Sequence, residues 1–283
     1  MSTKTPEQVL ADAERWWSTE IINIRPGHIE VRGYPIQQLI GELSYPEMVW
    51  LMLRGDLPSR PQARLLEAAL VSAVDHGPQA PSIAISRMAV TCGLPLNGAM
   101  ASAINALDDV HGGAGQQCMM LLEEIAAATP TGGPEAAQVA AQIDRFIEHN
   151  GKIIPGFGHR FHGVDPRAVR LMALVEQARV DGVVSGRYAA IGPLIEQVLT
   201  QRKGTPIPMN IDAATAIIYC ELGFAPPLGR GLFILSRSVG ILAHAWEQSQ
   251  QGGRIKGPMP VSIPFEYTGP ATRRFEKPAG PVR

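Results

Sequence analysis

The sequence is short of cysteine, of excess charge and of unbroken apolar runs, and each shortage excludes something. Its three cysteines, Cys92, Cys118 and Cys220, are widely spaced among small or apolar neighbours. That is neither a disulfide framework nor a metal-ligand spacing, so buried free thiols in a reducing compartment and no metal site are expected. A formal net charge of -1 supplies no basic field for coating nucleic acid or an anionic membrane. An anionic ligand must therefore be met by locally placed Arg, Lys or backbone N–H groups. The longest apolar stretch, Leu232 to Trp246, is interrupted by Arg237 and His244, too short and too polar for a membrane span. The opening MSTKTPEQVLADAERWW has no apolar signal-peptide core, and a cytoplasmic protein is expected. Neither a phosphate-cradling G-x-x-x-x-G-K-[ST] nor a G-x-S-x-G elbow occurs, and no strand precedes a dinucleotide fingerprint. ATP, serine-hydrolase and nicotinamide chemistry lose ground accordingly.

What is present reads as helix. Hydrophobic residues make up 45% of the 283 and charged residues 18%, enough to bury a sizeable core in one large domain or two unequal ones. Thr5 before Pro6, Ser44 before Pro46, and Ser59 with Pro61 are helix-start signals. They predict helices over 6–17, 46–54 and 59–74. Others are expected at 36–41, 84–91, 99–110, 115–128, 134–149, 166–180, 187–202, 211–221 and 228–248. The alternation in IINIRPGHIEVRGY suggests two short strands around Arg25-Pro26-Gly27-His28. The small-residue run from Gly98 to Ala103 lets another helix approach closely, and the Pro-rich tail from Gly257 lacks the pattern of a packed element.

The densest chemistry lies in Gly151 to Arg167, GKIIPGFGHRFHGVDPR. Pro155-Gly156-Phe157-Gly158 reads as a shaped turn whose N–H groups could meet an anion. His159 follows it directly, and Arg160 and Arg167 offer planar carboxylate or phosphate recognition. His111 falls at the end of the Ala-rich helix, before a double glycine and a new helix. There it either caps a helix or stays neutral and donates to a developing oxyanion. Asp212 is the one carboxylate in an apolar stretch, an N-cap or a general base. Arg237 stands alone in an apolar helix and needs an anion, either a structural carboxylate or a substrate's. His76 follows a helix end; His244 shares a helix face with Arg237 and reads as a core histidine.

In order, the segments IEVRGYPIQQLIGELSYPEMVWLMLRGDLPSRPQ, VDHGPQAPS, HGGAGQQ, GFGHR…DPRA, NIDAATA and LSRSVGILAHAWEQ resemble the citrate synthase family, from about Ile29 to Gly269. The resemblance implies an all-α fold: a large domain, 1–112 plus 226–283, with a small CoA-binding domain, 113–225, inserted in it. It implies a homodimer or dimer-based oligomer acting on an acyl-CoA and an oxo-acid, with CoA thioester as substrate and no tightly bound cofactor. By the match, Asp212 removes the acetyl methyl proton, His111 hydrogen-bonds the thioester oxygen, and His159 protonates the keto oxygen. His76, Arg167 and Arg237 hold the oxo-acid. The backbone of Ile153, Ile154, Pro155, Gly156, Phe157 and Gly158 lines the adenine site. Two departures stand out: Gly257 occupies the place of the family's C-terminal substrate arginine, and Gly77 that of an acid. With the short chain, they resemble the citryl-CoA lyase branch more than a synthase. Citryl-CoA cleavage is therefore expected ahead of citrate synthesis, with a methylcitrate-type enzyme or a non-catalytic CoA-binding homologue as alternatives.

Overall fold

The computed structural model describes residues 4–129, 133–158, 163–257, 260 and 262–275. Among these are twelve helices and a small, largely exposed sheet: α1 (Pro6–Trp16), β1 (Ile22–Arg25), β2 (His28–Val31), β3 (Tyr34–Pro35), α2 (Ile36–Leu39), α3 (Tyr45–Arg54), α4 (Arg60–Ser72), α5 (Pro81–Thr91), α6 (Leu96–Ile104), α7 (Ala114–Ala128), α8 (Ala136–Asn150), α9 (Pro166–Val180), α10 (Ile191–Lys203), α11 (Ile211–Glu221) and α12 (Pro226–Gln251). The start signals act as expected. Thr5, Ser44 and Ser59 each close a capping box with the side chain three residues on, satisfying N–H groups that a helix end leaves orphaned.

The molecule is built around α11. Its residues 213–220 are all buried, the mark of a helix surrounded by protein on every side. It packs chiefly on α7, then on α9 and α4. The main cluster joins Leu66, Met119, Leu122, Ile125, Ile195 and Ile217, all with essentially no exposure. A second cluster, with Ile83, Ala103, Leu107 and Ile241, binds α5 and α6 to the distal half of α12. The run from Gly98 to Ala103 thus faces α5 and α12, with Ala99 and Ala103 fully buried.

Cys118 and Cys220 are buried free thiols as expected, but Cys92 is exposed, and three expectations about elements need correction. The helix drawn to Val110 stops at Ile104, because Arg230 of α12 takes both Asp108 and Asp109 as ion partners. Residues 108–111 then close a turn through an Asp108 N–H to His111 carbonyl bond of 2.9 Å. The helix expected from Arg187 begins at Ile191. The Glu221 carboxylate captures the Ser185 hydroxyl and the N–H groups of Gly186, Tyr188 and Ala189, so that stretch stays a loop. Finally, the hairpin gains a third strand: β2 pairs antiparallel with β1 from Ile22↔Val31 to Arg25↔His28, and with Tyr34–Pro35 on its other side. In the tail, Phe265 and Tyr267 are exposed.

Candidate active site

The segment Gly151–Gly158 is stitched to the approach to α11. Gly158 N–H donates to the Pro208 carbonyl at 2.7 Å, and Asn210 N–H to the Gly156 carbonyl at 2.9 Å. Asn210 has a second duty on each side. Its Oδ1 accepts from Asp212 N–H at 2.9 Å, and its Nδ2 donates to the Gly158 carbonyl at 2.7 Å. Asn210 is therefore the N-cap of α11, and Asp212, read from sequence as a possible cap, sits half-buried as the second residue of the helix. Gly156 has φ +85°, and a Cβ there would lie 2.6 Å from that of Ala213; only glycine lets this loop touch α11. The expectation of free N–H groups in this turn is corrected, since Phe157 N–H meets the Ile154 carbonyl and Gly158 N–H meets Pro208. Ile154, Pro155, Gly156 and Phe157 are buried, whereas Ile153 is exposed. His159 lies outside the described residues.

His111 is half-buried, with Nε2 3.1 Å from Ser82 N and 3.0 Å from Ser82 Oγ. A backbone N–H only donates, so Nε2 accepts; the imidazole is then neutral and its proton sits on Nδ1. Ser82 is in the first turn of α5. The helix end facing His111 is thus that of α5, not of the helix that follows His111 in sequence. Burial, then the charges of Arg237 and His76, hold its pKa below the ordinary imidazole value.

Arg237 is 6% exposed. Its Nε donates to the Ala73 carbonyl at 3.1 Å, and its guanidinium lies 5.0 Å over the Phe233 ring. Among the described residues it forms no ion pair, so the structural-carboxylate reading fails there. Burial lowers its pKa; Asp75 and Asp212 act against that, and Arg167 with it. A guanidinium stays charged regardless. Arg167, at the second position of α9, is gripped by Asp165 through Nε and Nη2 at 3.0 and 2.9 Å. His76 is exposed beside Asp75, which accepts from Gly77 N–H at 3.1 Å and lies 3.3 Å from His244 Nε2. His244 thus belongs to a polar chain with Asp75 and Arg87 rather than an apolar core.

His76, His111, Arg167, Asp212 and Arg237 come from five separate segments; His111 feels the charges of Arg237 and His76, and Arg237 those of Asp212 and Arg167. Three positioning residues escaped the sequence reading. Asp165 and Asn210 carried a signal, an Asx residue just ahead of a helix; Ser82, reached from 29 residues away, carried none. Among the described residues no group of three His, Cys, Asp or Glu is placed to hold a metal ion.

Residues 58–258 match the family model for the citrate synthase C-terminal domain. The chain belongs to the citrate synthase family. Citrate synthase from Acidithiobacillus ferridurans is 30% identical over 240 residues, 83% of this chain and 58% of that one. Citrate synthase 2 from Bacillus subtilis is 31% identical over 79% of this chain and 55% of its own. The chain thus spans little more than half of these curated family members. By contrast, the structure of citryl-CoA lyase from Hydrogenobacter thermophilus superposes with a TM-score of 0.80 at 31% identity, over 92% of this chain and 97% of that chain. An ATP citrate lyase from Methanothrix soehngenii shares the fold, with a TM-score of 0.75 at 20% identity. The all-α citrate synthase architecture expected from the motifs is the one observed.

Proposed function

We propose that this citrate synthase family member cleaves citryl-CoA to acetyl-CoA and oxaloacetate. The observation carrying this reading is the nearly end-to-end match to a citryl-CoA lyase, against matches to citrate synthases that span little more than half their length. The geometry is compatible with the chemistry. Arg167 and Arg237, close enough for Arg237 to feel the charge of Arg167, supply two guanidinium forks that suit the carboxylates of an oxo-acid; exposed His76 adds a further donor. His159 accepts the tertiary hydroxyl proton as the carbon–carbon bond breaks. The released electron pair moves into the thioester carbonyl, giving the enolate of acetyl-CoA, and the Nδ1–H of His111 stabilises its oxygen. Protonated Asp212 then delivers a proton to the enolate carbon. Run backwards, Asp212 removes the methyl proton and the same groups condense acetyl-CoA with oxaloacetate.

Condensation is the second reading, favoured by the curated citrate synthases. The backbone of Ile153 to Gly158 lines the adenine of CoA, which is a substrate rather than a resident cofactor. Residues 113–225 form the smaller, CoA-binding unit, closing against 1–112 plus 226–283. The working form is a homodimer or an assembly of dimers, acting in the cytoplasm. Exposed Leu10 and Trp16 on α1, with Trp17 at its C-cap, suit burial between subunits.

Product analysis decides. Purified protein is incubated with citryl-CoA, and separately with acetyl-CoA and oxaloacetate, and acetyl-CoA, citryl-CoA and citrate are quantified. Acetyl-CoA from citryl-CoA, with no net citrate in the second incubation, supports the lyase. Free citrate as main product selects the synthase, and CoA binding without turnover in either leaves a binding protein. Turnover of propionyl-CoA in preference to acetyl-CoA would point to a methylcitrate-type enzyme.

A further inference from the structure

Asp165 makes more bonds than an N-cap requires. It precedes Pro166 at the start of α9, and its side chain has no exposure. Its Oδ1 accepts from the N–H and Nε of Arg167, both at 3.0 Å. Its Oδ2 accepts from Arg167 Nη2 at 2.9 Å and from Ile211 N–H at 3.1 Å. Capping α9 needs only the first of these. The last crosses to α11 and ends on the residue beside Asp212. Burial alone would push the Asp165 pKa up, but the Arg167 side chain and backbone and the Ile211 N–H outweigh it, so the carboxyl stays ionised. Its charge also offsets that of Arg167, which Arg237 feels as a like charge.

We propose that Asp165 is a positioning residue that sets two groups from one carboxylate, the Arg167 guanidinium and the first turn of α11 carrying Asp212. The proposal rests on the roles assigned above to Arg167 and Asp212. It keeps the oxo-acid cradle in register with the proton-transferring acid, and the two links feed different kinetic parameters. The Arg167 link governs oxo-acid binding; the Ile211 link governs the placement of Asp212.

Two variants of the full chain separate them. Asp165→Asn removes the charge and turns one acceptor into a donor. Ile211→Pro removes the N–H that reaches Oδ2, along with an Ile side chain packed on the main core, at a helix position that favours proline and after an Asn210 already extended. In the condensation direction, Asp165→Asn should raise the oxaloacetate KM about tenfold and lower kcat about tenfold, with the acetyl-CoA KM within about twofold. Ile211→Pro should lower kcat about tenfold and leave the oxaloacetate KM within about twofold. If both keep kcat and KM while their melting temperatures fall, Asp165 is only a structural cap and the proposal is overturned, with the function intact. Should Asp165→Asn fail to fold, the split in Ile211→Pro decides. A wild-type protein inactive in both directions sinks the functional reading, and this proposal with it.

Discussion

Ser82 N–H occupies His111 Nε2, so the proton of the imidazole is confined to Nδ1. Burial, Arg237 and His76 all disfavour the imidazolium, which places its titration below the usual 6.5. Above that unfolded-state value the stabilisation from neutral His111 is complete. It drains away as pH falls from there through the folded value, because the unfolded chain takes up the proton first. Replacing exposed His76 by Ala should move the His111 titration upward, as read by NMR of its ring Cε1–H; an unmoved titration would show that the His76 charge is not felt. Asp212→Ala should lower turnover at least about a hundredfold, with CoA affinity by calorimetry nearly unchanged. Near-normal turnover would remove Asp212 from proton transfer. Arg237→Leu should raise the oxo-acid KM by about tenfold or more, the worth of a charged hydrogen bond, and an unchanged KM would contradict its role.

At the scale of elements, the N-terminus of α11 and the 151–158 loop form one unit because Asn210 bonds to both. Asn210→Ala should therefore destabilise by about 2 kcal/mol, the upper end for a cap, whereas Ser59→Ala, an exposed cap, should cost about 1 kcal/mol. Urea unfolding compares the two, and equal losses would mean the loop tether contributes nothing. Gly156→Ala combines a left-handed φ with a Cβ 2.6 Å from Ala213 and should cost more than either, about 3 kcal/mol. Helix starts at Thr5, Ser44 and Ser59 were legible in sequence because a capping box is complete within four residues. The early end of α6 and late start of α10 were not. Each is imposed by a distant ion pair or carboxylate, Arg230 on Asp108 and Asp109, and Glu221 on 185–189.

For the whole molecule, α11 lies at the centre, while α1 has no buried residue and exposes Trp16, with Trp17 exposed at its C-cap. Sedimentation should therefore give at least twice the 30.4 kDa chain mass, and Trp16→Ala with Trp17→Ala should shift it toward monomer. Monomeric wild-type protein would remove the subunit contact from the functional reading.

The amino-acid sequence by itself determined the helical class, most helix starts and the segments where the chemistry concentrates, because periodicity and caps are short-range properties. It also determined the family, through motifs that keep their order. Only the tertiary structure decided which helix end faces His111, that the Gly158 N–H before His159 is spent on the Pro208 carbonyl, and that Asp165 joins α9 to α11. Those facts rest on hydrogen bonds spanning 29, 50 and 46 residues. A backbone N–H looks the same in every sequence until folding brings an acceptor to it.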